Sequence, residues 1–175
     1  MKERNEVVLV DMADREKGRE DKMEAHVRGF LHRAFSVFIF RGDRILLQRR
    51  AASKYHCGGL WTNTCCSHPG FGEEIEEAAR ERLYREMGIR ADRLEEIHAF
   101  VYRAEFPNGL IEYEYDHVFV GESGDEPVPD PREVEDWRWI RIEDLMKEVE
   151  ERPELFTPWF ITALKPVADY LRLSC

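Results

Sequence analysis

The chain lacks several features that would each place it in a particular class. It has no paired CxxC spacing, no basic excess, no low-complexity segment and no internal repeat. Near its start the only apolar stretch is Val7 to Val10, far too brief for a signal peptide or a membrane span, so a cytoplasmic location without a membrane partner is expected. A formal net charge of −10 argues against a nucleic-acid partner, because a phosphate backbone needs a basic surface, although a local basic pocket is compatible with it. Cys57, Cys65, Cys66 and Cys175 form no disulfide framework, and adjacent Cys65 and Cys66 rarely bridge each other; the thiols are expected to be reduced. No composition break divides the 175 residues, so a single domain over residues 1–175 with one sizeable core is expected.

Against these absences stands the run Asn63-Thr-Cys-Cys-Ser-His-Pro-Gly-Phe-Gly-Glu-Glu74, which sets the Cys66 thiol two residues from the His68 imidazole, just before an acidic helix. A thiol and an imidazole this close serve nucleophilic catalysis, metal binding or proton transfer. A buried structural cysteine is the plain alternative for Cys66.

Patterning places the remaining elements. Val7 to Asp11 reads as a strand followed by a polar stretch to Asp21, and Lys22 to His32 is short and ambiguous. Ala34 to Phe40 is apolar on both faces and suits a buried strand, turning at Arg41-Gly42-Asp43 into Arg44 to Arg49. A basic loop follows to Gly59. Glu73 to Met87 carries Ile75, Ala78, Ala79, Leu83 and Met87 at helical spacing, with Gly88 as the left-handed stop and Arg82 and Glu86 together on one flank. His98 to Phe106 and Leu110 to Val120 form a hairpin around Pro107-Asn108-Gly109. A two-residue loop would set Arg103 opposite Glu114. A three-residue loop with Gly109 left-handed sets Tyr102 opposite Glu114 and Ala104 opposite Glu112, and it is predicted because Pro107 lacks the N–H of a ladder residue. The tail gives a strand at Asp136 to Ile140, a helix at about Ile142 to Glu151, and a last helix capped by Thr157 and started by Pro158. The order predicts a mixed α/β (α+β) fold, a mixed sheet sandwiched between helices.

Glu112 and Glu114 project to one face of their strand, where they repel unless a cation or proton intervenes; a solvated edge fits equally. With His26, His32 and His68 they offer three nitrogens and two oxygens, a set suited to Zn²⁺, Mn²⁺ or Mg²⁺. Each histidine alone reads as an ordinary hydrogen-bonded residue. Arg49, Arg50 and Lys54, with Lys22 and Arg82 from other segments, can clamp a phosphate or diphosphate, or be plain surface charge.

The segments RRAASK (49–54), GGLWTNTCCSHP (58–69), GEEIEEAARERLYREMGI (72–89), YEY around Glu114 and FTPW (156–159) resemble type 1 isopentenyl-diphosphate isomerases, in order and spacing, over nearly the whole chain. The resemblance implies a Nudix fold and the interconversion of isopentenyl and dimethylallyl diphosphates in isoprenoid biosynthesis. It makes Cys66, Glu114, Tyr102 and Trp159 catalytic, with Cys66 and Glu114 on opposite sides of the hydrocarbon and Trp159 stabilising a tertiary carbocation by cation–π contact. It assigns His26, His32, His68, Glu112 and Glu114 to one divalent ion, Glu86 to a diphosphate-borne Mg²⁺, and Lys22, Arg50, Lys54 and Arg82 to the diphosphate. A small-molecule substrate and a monomer or weak dimer are expected. Aligned on Gly88, the REUxEExGU ending of the Nudix hydrolase box carries Arg82 and Arg85 where glutamates are expected, which argues against a diphosphate hydrolase, the nearest alternative. A non-catalytic metal-binding or nucleotide-sensing module would have no need of Cys66. Ser67 stands where some members have glycine, and His56-Cys57-Gly58-Gly59 where many have a proline. Neither departure touches a catalytic position, and Cys57 and Cys175 carry no assigned role.

Overall fold

The computed structural model describes residues 5–173; Cys175 lies outside them. The strands are β1 (Glu6–Val10), β2 (Glu16–Asp21), β3 (His32–Arg41), β4 (Arg44–Arg50), β5 (Trp61–Thr62), β6 (Cys65–Ser67), β7 (Arg93–Glu105), β8 (Ile111–Glu122) and β9 (Val134–Arg141). The helices are α1 (Lys22–Arg28), α2 (Ile75–Met87), α3 (Ile142–Glu151) and α4 (Pro158–Leu173). β3 and β8 run parallel while the other pairs are antiparallel, so the sheet is mixed. Phe35, Val37 and Ile39 pack towards Ala78, Leu83 and Met87 of α2. Phe38, Ile45 and Val118 pack towards Leu145 of α3 and Phe160 and Leu164 of α4. β3 is apolar on both faces because both are covered, as the sequence pattern implied.

One irregularity of this sheet creates the site. β8 follows one edge of β3 from His32 to Phe40, whereas the other edge is shared by β1 at His32, β6 at Phe35 to Val37, and β4 at Phe40 and Arg41. β3 and β4 therefore splay apart, and the cysteine motif fills the gap. Thr64 bridges the split: its hydroxyl donates to Leu46 O (2.7 Å) and accepts from Ile39 N (2.9 Å). The Asn63 amide donates to Cys65 O (2.6 Å) and Val37 O (3.2 Å), which holds the following residues in place.

The β7–β8 register is the predicted one: Tyr102 opposes Glu114 and Ala104 opposes Glu112, with Phe106 and Leu110 closing the loop and Gly109 at φ 82°. α2 ends at Gly88 (φ 68°) and buries Ala78, Ala79, Leu83 and Met87 of the predicted stripe, with Ile75 half-buried. One reading needs correction and two are completed. The polar stretch before Asp21 is strand β2, whose exposed side chains on a sheet edge gave no alternation to read. The ambiguous Lys22 segment is helix α1, capped by Asp21 Oδ1, which accepts from Met23 N and Glu24 N. Thr157 precedes α4 as expected, but its hydroxyl bonds Thr62 Oγ1 (2.8 Å), tying the helix to β5.

Candidate active site

Alternation along β8 turns Glu112, Glu114 and Asp116 to one buried face. α1 lies directly over it because Gly29, at φ 66°, has no Cβ; one placed there would meet Ile111 Cδ1 at 3.0 Å. This close approach brings His26 to Glu112. His32 opens β3 in register with Glu114, and His68 follows β6. The sequence-predicted set His26, His32, His68, Glu112 and Glu114 converges, each offering a ligand atom within 4.8 Å of the others. Nε2 of His68 lies 2.7 Å from Glu114 Oε1 and 3.3 Å from His32 Nε2, and Nε2 of His26 lies 3.3 Å from Glu112 Oε1.

The donor chemistry fits a cation. Nδ1 of His26 contacts Lys22 O (2.5 Å) and Nδ1 of His32 contacts Phe30 O (2.8 Å). Carbonyls only accept, so these nitrogens carry the protons and the Nε2 lone pairs face the centre. His26 Nε2 is buried without a hydrogen bond. Burial, then the Lys22 charge and the other two imidazoles, push His68 well below its ordinary value and keep it neutral. Burial works most strongly against charge on Glu114, but the neighbouring His32 and the hydroxyl of Tyr102 outweigh it and hold the carboxyl below the usual range.

Beside this centre Glu114, Cys66, Tyr102 and Trp159 line a single cleft. Tyr102 donates its hydroxyl proton to Glu114 Oε2 (2.6 Å), with Glu112 Oε2 at 3.3 Å. Burial, partly offset by Arg50, pushes the Cys66 thiol up to about 12, so sulfur holds its proton at neutral pH. Arg50 contacts Cys66 Sγ (Nη1, 3.9 Å) and stacks over the Trp159 ring at 5.2 Å.

Lys54 and Arg82 converge on Glu133 and, with Lys22 and Glu86, make a basic part of the same cleft; Arg50 also lines it, beside Cys66 and Trp159. Arg82 Nε donates to Glu86 Oε1 (2.6 Å), and Gln48 Nε2 donates to Glu86 Oε2 (3.1 Å). Arg49 departs from its expected cluster; it sits over Trp61 at 5.8 Å, beside Glu135.

Sequence reasoning missed three residues. His56 is buried within the basic loop that follows β4, its Nε2 against Glu112 Oε1 and its ring stacked on Phe106 at 4.9 Å. Glu133 joins Lys54 and Arg82 from an acidic linker. Nothing in the sequence marks either residue. Asp116 did have a signal, since it continues the alternation of Glu112 and Glu114. It accepts from Ser36 Oγ (2.8 Å), and burial, then Glu114, push its carboxyl well above the usual range.

A NUDIX domain family model matches residues 30–160. The fold is accordingly that of a MutT NUDIX hydrolase from Burkholderia pseudomallei, at TM-score 0.64 and 23% identity, covering 78% of this chain and 98% of that one. A Deinococcus radiodurans protein superposes at TM-score 0.66 and 18% identity, over 83% and 89% of the two chains. Sequence relatives are nearer. The chain is 54% identical to isopentenyl-diphosphate Delta-isomerase 1 of Aromatoleum aromaticum over 89% of this chain and 88% of that protein. It is 47% identical to the isopentenyl-diphosphate Delta-isomerase of Serratia proteamaculans over 91% and 89%. The chain belongs to the isopentenyl-diphosphate Delta-isomerase family.

Proposed function

We propose that the protein interconverts isopentenyl and dimethylallyl diphosphates for isoprenoid biosynthesis, with Cys66 and Glu114 as the proton-transferring pair. The observation that carries this reading is that both line one cleft together with four cations. One of the two delivers a proton to the terminal alkene carbon, giving a tertiary cation, and the other removes a proton from the carbon two positions away. The double bond moves, one proton is gained and another released, and the composition of the substrate is unchanged. An alkene is a weak base and the cation would be trapped by water, so the walls around it must be dry. Phe35, Tyr55, Tyr102 and Trp159 supply aromatic wall to the cleft.

Tyr102, at 2.6 Å from Glu114, shares or passes the carboxyl proton. The electron-rich face of Trp159 stabilises positive charge. Lys22, Arg50, Lys54 and Arg82 bind the diphosphate, and that remote binding orients the small alkene. His26, His32, His68, Glu112 and Glu114 suit a divalent ion, Zn²⁺, Mn²⁺ or Mg²⁺, and Glu86 suits the Mg²⁺ of the diphosphate. A bound cation at the first set supplies positive charge that tunes the acidity of Glu114. Hydrolysis is disfavoured because Arg82 and Arg85 stand where the hydrolase box has glutamates.

Incubation with isopentenyl diphosphate in heavy water tests the reading. Deuterium should enter the product pool without phosphate release, and Cys66→Ala should abolish exchange while metal content and fold persist. Phosphate release without deuterium uptake would overturn it.

A further inference from the structure

The basic part of the cleft contains a carboxylate where an anion is to bind. Glu133 Oε2 accepts from Lys54 Nζ and lies 3.3 Å from Arg82 Nη2, with its side chain only 20% exposed. The backbone places it there from both sides. The β4–β9 register shifts between Arg49, opposite Asp136, and Arg50, opposite Val134. Such a bulge re-aims the residues beside it. Val134 enters the core, and its neighbour Glu133 turns to the cleft. Ala51 N donates to Glu133 O (3.0 Å), and Asp130 N donates to Glu86 O (2.8 Å), fixing the loop to the helix that carries Arg82. Arg82 thus links two carboxylates, Glu86 through Nε and Glu133 through Nη2.

A glutamine here would keep the hydrogen bond to Lys54, so what the glutamate adds is charge. Glu112 and Glu114 also line the cleft and would be balanced by the divalent ion proposed for the histidine site; Lys22, Arg50, Lys54 and Arg82 against Glu86 and Glu133 then leave two positive charges in excess. A fully ionised diphosphate exceeds that on its own, and unbalanced charge is costly in a partly buried site. A diphosphate that brings a divalent cation does not exceed it. We propose that Glu133 is a specificity-determining residue that makes diphosphate binding conditional on an accompanying divalent cation, while holding Lys54 and Arg82 as a converging pair. The inference rests on the diphosphate reading above.

Calorimetric titration of inorganic diphosphate into the full chain, with and without added Mg²⁺ and at constant metal content of the histidine site, tests it. The wild type should bind much more weakly without Mg²⁺. Glu133→Gln should tighten Mg²⁺-free binding by about tenfold or more, which narrows the gap; Glu133→Asp, which keeps the charge, should retain the wild-type gap. An unchanged gap in Glu133→Gln overturns the role of Glu133. So does a wild type that binds equally well with and without Mg²⁺, a result that needs no variant to fold. A wild type that binds diphosphate under neither condition sinks the diphosphate reading itself.

Discussion

Tyr102→Phe is the most informative single change, because it removes one oxygen and leaves the ring. That ring packs against Phe100 at 5.7 Å and Trp159 at 6.4 Å, contacts the phenyl group keeps. What is lost is the 2.6 Å hydrogen bond to the buried Glu114 carboxylate. A hydrogen bond to a charged group contributes about 1.5–3 kcal/mol. Glu114 retains His68 at 2.7 Å, so the lower end of that range is expected for stability, a fall of about 2–4 °C per kcal/mol in a chain of this size. Activity separates two roles. A hydroxyl that only steadies negative charge costs about tenfold in kcat, whereas one that passes the proton costs about 10²–10⁴-fold. The assay is the initial rate of deuterium uptake into product, measured at saturating substrate beside a thermal melt. We expect the larger loss with a small melting shift. A kcat within about threefold of wild type, with the melting shift present, would refute the relay.

Cys66 should alkylate slowly near neutral pH and keep accelerating beyond pH 9, towards pH 12, as read by iodoacetamide labelling and peptide mapping that separates it from Cys57. The same raised value fixes a sign for stability. The folded thiol holds its proton more tightly than the unfolded one, so its contribution is complete below pH 9 and is lost as pH rises from 9 towards 12; Cys66→Ala should flatten that decline in chemical denaturation. Thr64→Val leaves Ile39 N–H and Leu46 C=O unsatisfied where β3 and β4 separate, and should cost about 3 kcal/mol by urea titration. A loss below about 1 kcal/mol would mean that Thr64 does not bridge the split. His26→Ala should reduce metal retained after dialysis by more than about tenfold, measured by elemental analysis, while the circular dichroism spectrum holds.

Most of the fold was legible because its signals are local. The 3.6-residue stripe of α2, Gly88, and the Pro107-Asn108-Gly109 turn each depend on residues close in sequence, and the hairpin register then set Tyr102 against Glu114. The metal set and the cleft residues became legible through their resemblance to a family, since their segments are far apart and their convergence depends on the parallel β3–β8 pairing. β2, His56 and Glu133 were not legible. β2 presents polar side chains on an edge, His56 is buried only because Phe106 and Trp159 reach it from distant segments, and Glu133 is aimed by a bulge that no residue type announces.

The five convergent residues that could hold an ion come from α1, the start of β3, the segment after β6, and β8, which only the assembled sheet brings together. A disordered polypeptide cannot offer that cage, so an ion held there is linked to folding itself. At a free concentration a thousand times its dissociation constant, such an ion would add about 4 kcal/mol to the folded form. Trace-element supply during expression would thereby govern yield and shelf life as well as turnover.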